Sequence, residues 1–443
     1  MSLRLHAPVV LPCDPSCSVL RDAVVDLDDT GRIIHCGPIS TAGEFDGEVR
    51  RLTGILLPGL VNAHAHSPMT VLRGMGGDLP LMRWLTEVIW PAESRLNAAD
   101  VYAGMVLGSV EMLRAGVTTS AEMYFHGEDV ARATLDTGAR LVLAPAIIDA
   151  PGWDWRSQLD GVSRWIDTDG LRFGPGDRVE LGYGPHSAYT LTPEVLTLVG
   201  TEARARGALV QIHVAESLQE DIAQRAEHGS VPALLEKANL LDGRVLAAHA
   251  VHLSDDDIAL FARRGVGVAH CPGSNAKLAS GIARVTALRA AGVPIGLGTD
   301  GPASNDDLDL WEELRLAGML ARVSTMDSTA LTAADLLLMS TRGGATALGR
   351  DDIGSLTLGA WGDVVHVGID DPAFAAGVDV ADEHLLSNLV WTAGSRTITD
   401  VWVAGEQVVA AGEPTQVDRR EAQAAAGKVT RRLTGIEVPA LTN

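Results

Sequence analysis

The stretch 58-PGLVNAHAHSPM-69 ends an apolar run and places His64 and His66 on either side of Ala65. Successive side chains of a β-strand point to opposite faces, so two residues that flank a third share one face. If this stretch is a strand, both imidazoles point the same way. A histidine at a strand end is more often a hydrogen-bonded structural residue than a ligand. The meaning of the pair therefore depends on the residues at the ends of the other strands.

The middle of the chain alternates short apolar, β-branched runs with longer amphipathic runs. About eight such strands occur, which is the number that closes a parallel (β/α)8 barrel, and the predicted fold class is therefore α/β. The predicted strands are 55-ILLPGLVNAHAH-66, 116-GVTTSAEMYF-125, 140-RLVLAPAII-148, 179-VELGYGPHS-187, 209-LVQIHVAES-217, 245-VLAAHAVH-252, 265-GVGVAHCP-272 and 293-VPIGLGTDGPAS-304. Helices are predicted between them, for example at 98–115, 192–207 and 306–323.

The two ends of the chain differ from this middle part. Residues 1–57 contain short strands such as 23-AVVDLD-28, and 398-ITDVWVAGEQVVAAG-412 returns to the same style near the other end. Turn residues punctuate both regions, and no helical period is sustained. We expect 1–57 and 359–443 to pair into one small β-sandwich domain, with the barrel at 58–358.

Composition limits the partners and the compartment. The formal net charge is -22, from 35 basic and 57 acidic side chains, which argues against nucleic-acid and membrane partners and otherwise indicates only solubility. No apolar run reaches transmembrane length, and residues 1–30 lack the pattern of an export signal. Cys13, Cys17, Cys36 and Cys271 have no metal-finger spacing, so we predict free thiols in a cytoplasmic protein.

Polar residues recur where the predicted strands end. His186 ends strand four, His213 and Glu216 lie at strand five, His249 ends strand six, and Asp300 follows strand eight. In a (β/α)8 barrel these carboxyl ends form the mouth, where barrel enzymes place their chemistry. Imidazole and carboxylate together suit zinc or iron. The set that would hold one divalent ion is His64, His66, His213 and Asp300.

Such an ion would lower the pKa of a bound water toward neutrality and make it a nucleophile. Glu216 is placed to move a proton, and His249 to orient or deprotonate the water. Asp300 alone could instead cap the helix that comes after it. The remaining histidines are interpreted as structural: His6, His35, His126, His228, His252, His270, His366 and His384. Recurrence of ligand-type residues at strands one, five, six and eight favours the metal site.

Other chemistries lack their sequence patterns. The chain contains no H-E-x-x-H helix, no H-x-E with P-C-x-x-C, and no G-x-S-x-G nucleophile elbow. The glycines of 74-GMGG-77 are not followed by the lysine of a phosphate-binding loop and are predicted to form a flexible loop.

At these residues the sequence resembles the amidohydrolase superfamily, over nearly the whole chain. The resemblance is closest to the methylthioadenosine/S-adenosylhomocysteine deaminases and extends to triazine hydrolases. The motifs that carry it are 58-PGLVNAHAHSPMTVLRG-74, 184-GPHSAYT-190, 213-HVAES-217, 248-AHAVHL-253, 270-HCPGSNAKLASGIA-283 and 298-GTDGPASNDDLDLWEE-313. It implies one zinc or iron on His64, His66, His213 and Asp300. It also implies that Glu216 protonates N1 of an adenine-like ring while His249 and Asp300 handle protons of the attacking water.

The same resemblance implies several substrate contacts. The ribose-binding glutamate of the family corresponds to Glu93 in 90-WPAESRL-96, and its substrate-contacting histidine to His186. We also expect Trp84 and Ser304 to contact the substrate. Binuclear relatives carry a modified lysine on strand four, and 179-VELGYGPHSAY-189 has none, which favours a single metal ion. The resemblance further suggests a homo-oligomer.

One departure from the family concerns the substrate. The family has an arginine near the end of strand three that helps to hold the homocysteine carboxylate, and Pro145 stands at about that place. A proline cannot make the two-point, charge-assisted contact of an arginine. Arg156 corresponds to a second arginine across a small gap. Trp153 and Trp155 would either close an apolar pocket or simply pack as loop residues.

Three functions are compatible with these observations. The first is hydrolytic deamination of a 6-aminopurine nucleoside (5'-methylthioadenosine, adenosine or S-adenosylhomocysteine) to the 6-oxopurine with release of ammonia. The alternative keeps the metal site and hydrolyses another amino- or chloro-substituted heterocycle or a urea, as triazine hydrolases do. The third is a barrel that has lost catalysis, which predicts missing ligands.

Overall fold

The computed structural model of the chain describes residues 2–150 and 152–435. Its strands form two sheets that share no strand. In chain order the strands are Leu3–Val10 (β1), Leu20–Leu27 (β2), Ile33–Pro38 (β3), Glu48–Arg51 (β4), Ile55–Pro58 (β5), Leu60–Ala65 (β6), Val117–Glu122 (β7), Arg140–Leu143 (β8), Ala146–Ile147 (β9), Arg172–Phe173 (β10), Val179–Pro185 (β11), Leu209–Val214 (β12), Arg244–His249 (β13), Gly267–His270 (β14), Ile295–Leu297 (β15), Val364–Val367 (β16), Ile398–Val403 (β17), Glu406–Ala410 (β18) and Glu413–Pro414 (β19).

The α-helices lie mainly between the strands of the second sheet. They are Leu81–Trp84 (α1), Trp90–Glu93 (α2), Ala98–Arg114 (α3), Gly127–Thr137 (α4), Trp155–Asp169 (α5), Pro193–Arg206 (α6), Leu218–His228 (α7), Val231–Lys237 (α8), Asp255–Arg264 (α9), Pro272–Lys277 (α10), Val285–Ala290 (α11), Leu310–Thr325 (α12), Ala333–Met339 (α13), Arg342–Ala347 (α14), Asp382–Asn388 (α15) and Arg419–Thr434 (α16). Helix α3 begins with a capping box in which Asn97 and Asp100 satisfy each other's backbone donors.

The larger sheet is the predicted parallel barrel. Its strands take the order β6, β7, β8, β11, β12, β13, β14, β15, and each neighbouring pair is parallel. A bridge between Ala65 and Asp300 joins the first strand to the last, and the Asp300 N–H donates to the His64 carbonyl at 3.0 Å. Strands β6, β11 and β12 are buried along their whole length, which explains their continuous apolar sequences.

Two predicted strands are each divided in the structure. The run 55–66 forms β5 in the smaller sheet and β6 in the barrel, and the chain passes from one to the other at Gly59. The run 140–148 forms β8 and β9, with Ala144 and Pro145 between them. Proline has no backbone N–H to donate, so it interrupts the ladder of a central strand.

The smaller sheet is mixed and is built from both chain ends, as predicted. Strand β5 pairs with β1 on one side and antiparallel with β16 on the other. The β2–β3 turn and the β17–β18 turn are connected through Gly362. The Gly362 N–H donates to the Gly31 carbonyl, and the Gly405 N–H donates to the Gly362 carbonyl. These strands form one continuous sheet rather than two packed sheets, and a buried cluster that includes Leu5 and Trp402 lies against it. The domain boundaries at 57/58 and 358/359 stay a prediction.

Two findings bear on the expectations from composition. The four cysteines are free, as predicted. Among the described residues, no helix combines the length and the apolar character that crossing a membrane requires.

Candidate active site

Four predicted ligands converge at the carboxyl end of the barrel. One ligand atom from each of His64, His66, His213 and Asp300 lies within 4.8 Å of every other. The Nε2 atom of His66 is 3.3 Å from Nε2 of His213 and 3.2 Å from Oδ1 of Asp300. Nε2 of His64 is 3.4 Å from the same carboxylate oxygen. Three imidazoles and one carboxylate thus share a space of about the size of one ion's ligand shell.

The hydrogen bonds of the imidazoles leave nitrogen lone pairs facing this space. Nδ1 of His66 donates to the Met123 carbonyl at 2.6 Å, and Nδ1 of His213 donates to the His186 carbonyl at 2.7 Å. Each bond occupies Nδ1 and turns Nε2 toward the shared space. Within 2–150 and 152–435, neither buried ring nitrogen of His64 has a hydrogen-bond partner. Such unpaired nitrogens are costly unless a ligand occupies them, so these residues fit a bound divalent ion.

Burial keeps most of these rings neutral. It lowers the pKa of His64 to about 4, and burial with the neighbouring imidazoles lowers the pKa of His213 well below its usual value. The neutral imidazole is the form that binds a metal. For His66, burial opposes the charge, but the hydrogen bond and the charge of Asp300 outweigh burial and raise the pKa to about 9.

The backbone is strained at three strand ends of the barrel mouth. Ala215, His249 and Asp300 have positive φ angles of 48°, 69° and 59°. A residue other than glycine in this region costs about 1–3 kcal/mol, and such residues persist where their surroundings hold them. Ala215 directly precedes Glu216. The strain therefore coincides with the turns that deliver Glu216, His249 and Asp300 to one place.

Glu216 and His249 stand beside the ligand cluster. Oε2 of Glu216 lies 3.9 Å from Nε2 of His249, and both side chains are buried. Nδ1 of His249 is bonded to the Asn275 side-chain oxygen at 2.9 Å, so Nε2 is the nitrogen left for a ligand. Burial raises the pKa of Glu216, which favours a protonated carboxyl that can donate.

A cavity opens at these residues, and its empty volume, including the solvent at its mouth, is about 670 Å³. It gathers the predicted substrate contacts Glu93, His186, Trp84 and Ser304 with the catalytic candidates. Its polar lining is His66, Glu93, His186, Tyr189, His213, Glu216, His249, Asp300 and Ser304. Its apolar lining is Met69, Leu81, Trp84, Leu85, Ile89, Trp90, Met123, Tyr124, Phe125, Ala146, Ile148 and Leu278.

The predicted contact Arg156 lies outside this cavity, as do Pro145 and Trp153. Arg156 is exposed on the first turn of α5, with its guanidinium 4.2 Å from the centre of the Trp155 ring, and it does not line the cavity. The Pro145 ring lies against Gly127 and is likewise outside the lining. Trp153 does not line the cavity, but its ring stacks on that of the lining residue Phe125, with 3.8 Å between the ring centres. In the part of the chain that the structure describes, the cavity lining contains no arginine or lysine.

Some residues that hold the site were not predicted. Glu122, at the end of β7, accepts the Ser67 N–H at 2.8 Å and so fixes the residue after His66. Oδ2 of Asp300 accepts from the hydroxyls of Ser274 and Ser304, each at 2.6 Å. Ser274 lies just after strand β14, so the rule applied to the other strand ends would have found it.

The comparisons with known proteins agree with this geometry. The sequence model of the Amidohydrolase family matches residues 55–408. The chain belongs to the amidohydrolase family. A family relative from Pelotomaculum thermopropionicum, named 5-methylthioadenosine/S-adenosylhomocysteine deaminase, is 38% identical over 440 residues, which cover 98% of this chain and 100% of that one. The resemblance predicted from the motifs is therefore confirmed.

Solved structures place the fold in the same amidohydrolase family. A zinc-bound adenosine deaminase from Xanthomonas campestris superposes with a TM-score of 0.91 at 36% identity, over 98% of both chains. The zinc-bound atrazine chlorohydrolase from Arthrobacter aurescens superposes with a TM-score of 0.87 at 24% identity, over 97% of this chain and 100% of that one. The second likeness is one of fold alone.

Proposed function

We propose that the protein is a metal-dependent deaminase that hydrolyses 6-aminopurine nucleosides to 6-oxopurines and ammonia. The observation that carries the proposal is the meeting of a metal-ligand cluster, a buried acid and a second buried carboxyl at one cavity. The acid is Glu216 and the second carboxyl is Glu93. The activities named for the relatives from Pelotomaculum thermopropionicum and Xanthomonas campestris support it.

In this proposal His64, His66, His213 and Asp300 hold one zinc ion, with iron as the alternative for the same donor set. The bound ion supplies a water that loses a proton near neutral pH. The unpaired nitrogens of His64 and the zinc in the adenosine deaminase from Xanthomonas campestris support this assignment.

Glu216 and His249 divide the proton transfers between them. Addition of water at C6 places charge on N1 of the purine, and the protonated Glu216 carboxyl donates its proton there. Nε2 of His249, held by the bond from Nδ1 to Asn275, accepts a water proton together with Asp300. Of the two water protons, one ends on the departing amine and the other restores Glu216. N1 keeps the proton that it received, which gives the 6-oxopurine.

Glu93 and His186 bind the sugar in this proposal. Burial raises the pKa of Glu93 to about 7, and a pair of ribose hydroxyls would give this carboxyl the hydrogen bonds that water provides elsewhere. Nδ1 of His186 lies 3.1 Å from the Ser187 hydroxyl and 3.3 Å from the Thr190 hydroxyl, which leaves Nε2 for the substrate. Burial lowers the pKa of His186 to about 3, so the ring stays neutral.

The apolar wall selects the 5' substituent. Leu85, Ile89, Ile148 and Leu278 line the cavity, and none of its described lining residues is an arginine or a lysine. A buried carboxylate without a cation costs several kcal/mol. Methylthioadenosine and adenosine are therefore the proposed substrates, in preference to S-adenosylhomocysteine.

The test is ammonia release by the zinc-loaded protein. Methylthioadenosine, adenosine, S-adenosylhomocysteine, guanine and a chlorotriazine are offered in parallel, with Glu216→Gln as the control for contaminating deaminase. Release from adenine nucleosides that is abolished by Glu216→Gln supports the proposal. Activity on the chlorotriazine or guanine alone would replace it with the alternative heterocycle hydrolase. A Glu93→Ala variant with an unchanged KM for a nucleoside would contradict the sugar contact.

A further inference from the structure

A buried carboxyl group joins two loops of the active site. Glu313 lies on α12 and is 2% exposed. Its Oε2 accepts the Gly273 N–H at 2.9 Å, and its Oε1 accepts the Asn305 side-chain N–H at 3.0 Å. Gly273 belongs to the segment after β14 and Asn305 to the segment after β15. One side chain thus ties together the loops after two neighbouring barrel strands.

These two loops hold the groups that would manage the protons of the water. Ser274, next to Gly273, donates to Oδ2 of Asp300, and Ser304, next to Asn305, donates to the same oxygen. Asn275 bonds Nδ1 of His249 at 2.9 Å. Each partner of Glu313 is therefore adjacent in sequence to a residue that contacts Asp300.

The two residues held in this way, His249 and Asp300, have strained backbones. His249 and Asp300 have φ angles of 69° and 59°. Such conformations persist only where neighbouring contacts prevent their relaxation. Ser274 and Asn275 supply those contacts, and their own position depends on the Gly273 N–H that Glu313 accepts.

The side chains of Glu313 and Asn305 pack closely against Gly273, and burial of the Glu313 carboxyl group costs free energy. A Cβ at position 273 would collide with Oε1 of Glu313 and Oδ1 of Asn305, so a larger residue there would displace both side chains. No salt bridge to Glu313 occurs within residues 2–150 and 152–435, and its charged neighbours are the carboxyls Asp300 and Asp307. Burial raises the pKa of Glu313 to about 8, and a buried titratable group with so shifted a pKa is typical of functional sites.

We infer that Glu313 is a positioning residue that fixes Asp300 and His249 through the two loops. The inference rests on the proposed function for its effect on rate. Loss of the Glu313 bonds would let Ser274 and Asn275 move, and a shift of about 1 Å at a reacting group can cost on the order of a hundredfold in rate. Glu93, Leu85, Ile89 and Ile148 belong to other elements, and apart from Asp300 itself only Leu278 and Ser304 of the cavity lining lie in the two loops, so the main effect is expected on kcat rather than on KM.

The experiment compares Glu313→Ala, Glu313→Gln and Asn305→Ala with the wild type, all zinc-loaded. Glu312→Gln is the matched control, because Glu312 is the exposed neighbour on the same helix. We expect Glu313→Ala to lower kcat about ten- to a hundredfold, with KM and zinc content unchanged. Glu313→Gln recovers part of the loss, because its amide oxygen can accept the Gly273 N–H. Unchanged kcat in Glu313→Ala would overturn the inference, and so would a loss that only accompanies lost zinc or lost folded protein.

Hydrogen–deuterium exchange provides a measurement that does not depend on activity. The amides of 273–276 are expected to exchange about tenfold faster in Glu313→Ala, and at the wild-type rate in Glu312→Gln. Faster exchange with no deaminase activity in the wild type would keep the loop connection and reject the proposed function. Unchanged exchange in Glu313→Ala and Asn305→Ala would reject the connection itself.

Discussion

Oε2 of Glu216 lies 3.9 Å from Nε2 of His249, at the edge of one buried cavity. This distance is too long for a hydrogen bond, so the two side chains do not occupy each other's hydrogen-bonding atoms. A proton donor and a nitrogen lone pair therefore both remain available to a bound molecule, and each can be removed separately by substitution.

Replacement of Glu216 by Gln removes the donated proton and leaves the shape of the cavity. We expect kcat to fall about 10²- to 10⁴-fold, the usual contribution of a positioned acid, with metal content unchanged. Glu227→Gln, an exposed substitution on α7, serves as the control. A variant that retains more than about a tenth of wild-type kcat would assign the proton to another group.

The wild-type rate should also depend on the protonation of Glu216. Because burial raises the pKa of this carboxyl and the acid form donates, the rate is expected to fall as pH rises through that pKa. The measurement is a pH profile of kcat/KM for a nucleoside. A rate that rises steadily with pH over this range would contradict the role of Glu216 as an acid.

Glu93 should make the protein less stable at alkaline pH. Burial raises its pKa from 4.5 to about 7, so the folded state holds this proton more tightly than the unfolded chain. Its contribution to stability is present below pH 4.5 and is lost as pH rises toward 7. Glu93→Gln, neutral at every pH, should exceed the wild type in unfolding free energy by up to about 3 kcal/mol at about pH 8.

The difference between Glu93→Gln and the wild type should disappear at about pH 4.5, which provides an internal control. Denaturant unfolding of both proteins at equal metal loading measures it. A difference that is equal at acid and alkaline pH would mean that packing, rather than ionisation, distinguishes the two side chains.

Metal removal should lower stability as well as activity. Ligand binding to the folded state adds about 4 kcal/mol when the free ion is about a thousandfold above its Kd. Dialysis against a chelator should therefore lower the thermal midpoint, and added zinc should restore it. His64→Ala should abolish the response, whereas His384→Ala, at an exposed histidine, should retain it. An equal response in both variants would place the bound ion elsewhere.

The protein should discriminate between nucleosides by their 5' substituent. With no described arginine or lysine in the cavity lining, S-adenosylhomocysteine must desolvate its carboxylate without a partner. We expect its kcat/KM to be at least about tenfold below that of methylthioadenosine, through KM. An analogue of S-adenosylhomocysteine without the carboxylate should recover the difference. Equal values for the two substrates would indicate a cation that enters on binding.

The barrel and the meeting of four ligand-type side chains at its mouth could be predicted because they obey local rules. Buried parallel strands are continuous apolar runs, and polar residues at their ends stand out against them. His64, His66, His213 and Asp300 were all found in this way and come together in the structure. The helix predicted at 98–115 is likewise observed as α3 at Ala98–Arg114.

The cover of the cavity could not be predicted from a pattern. It is formed by α1, a π-helical turn at Leu85–Ile89 and α2, three short pieces without a sustained period. Trp84 and Glu93 were chosen there only from the family resemblance. The position of Arg156 outside the cavity lining could not be predicted either, since the loop between β9 and α5 carries no periodicity that fixes where its side chains point.

Glu313 could not be recognised from the sequence because its partners are backbone and amide groups of distant loops. A glutamate on an amphipathic helix is usually solvated, and nothing in 306-DDLDLWEELRLAGMLARV-323 separates Glu313 from its exposed neighbour Glu312. Only the packing of α12 against the loops after β14 and β15 distinguishes them.

The bridge between Ala65 and Asp300 has a consequence for synthesis of the protein. His64 and His66 leave the ribosome early, whereas Asp300 emerges only after the other barrel strands have been made. The nascent chain must then bring these distant segments together against the entropy of a long loop. The pairing of Ala65 with Asp300 both closes the barrel and adds the last candidate metal ligand, so the barrel and the site are completed together, late in synthesis. A shortened chain that ends before Asp300 would contain the three histidines but would lack the carboxylate of the ligand cluster.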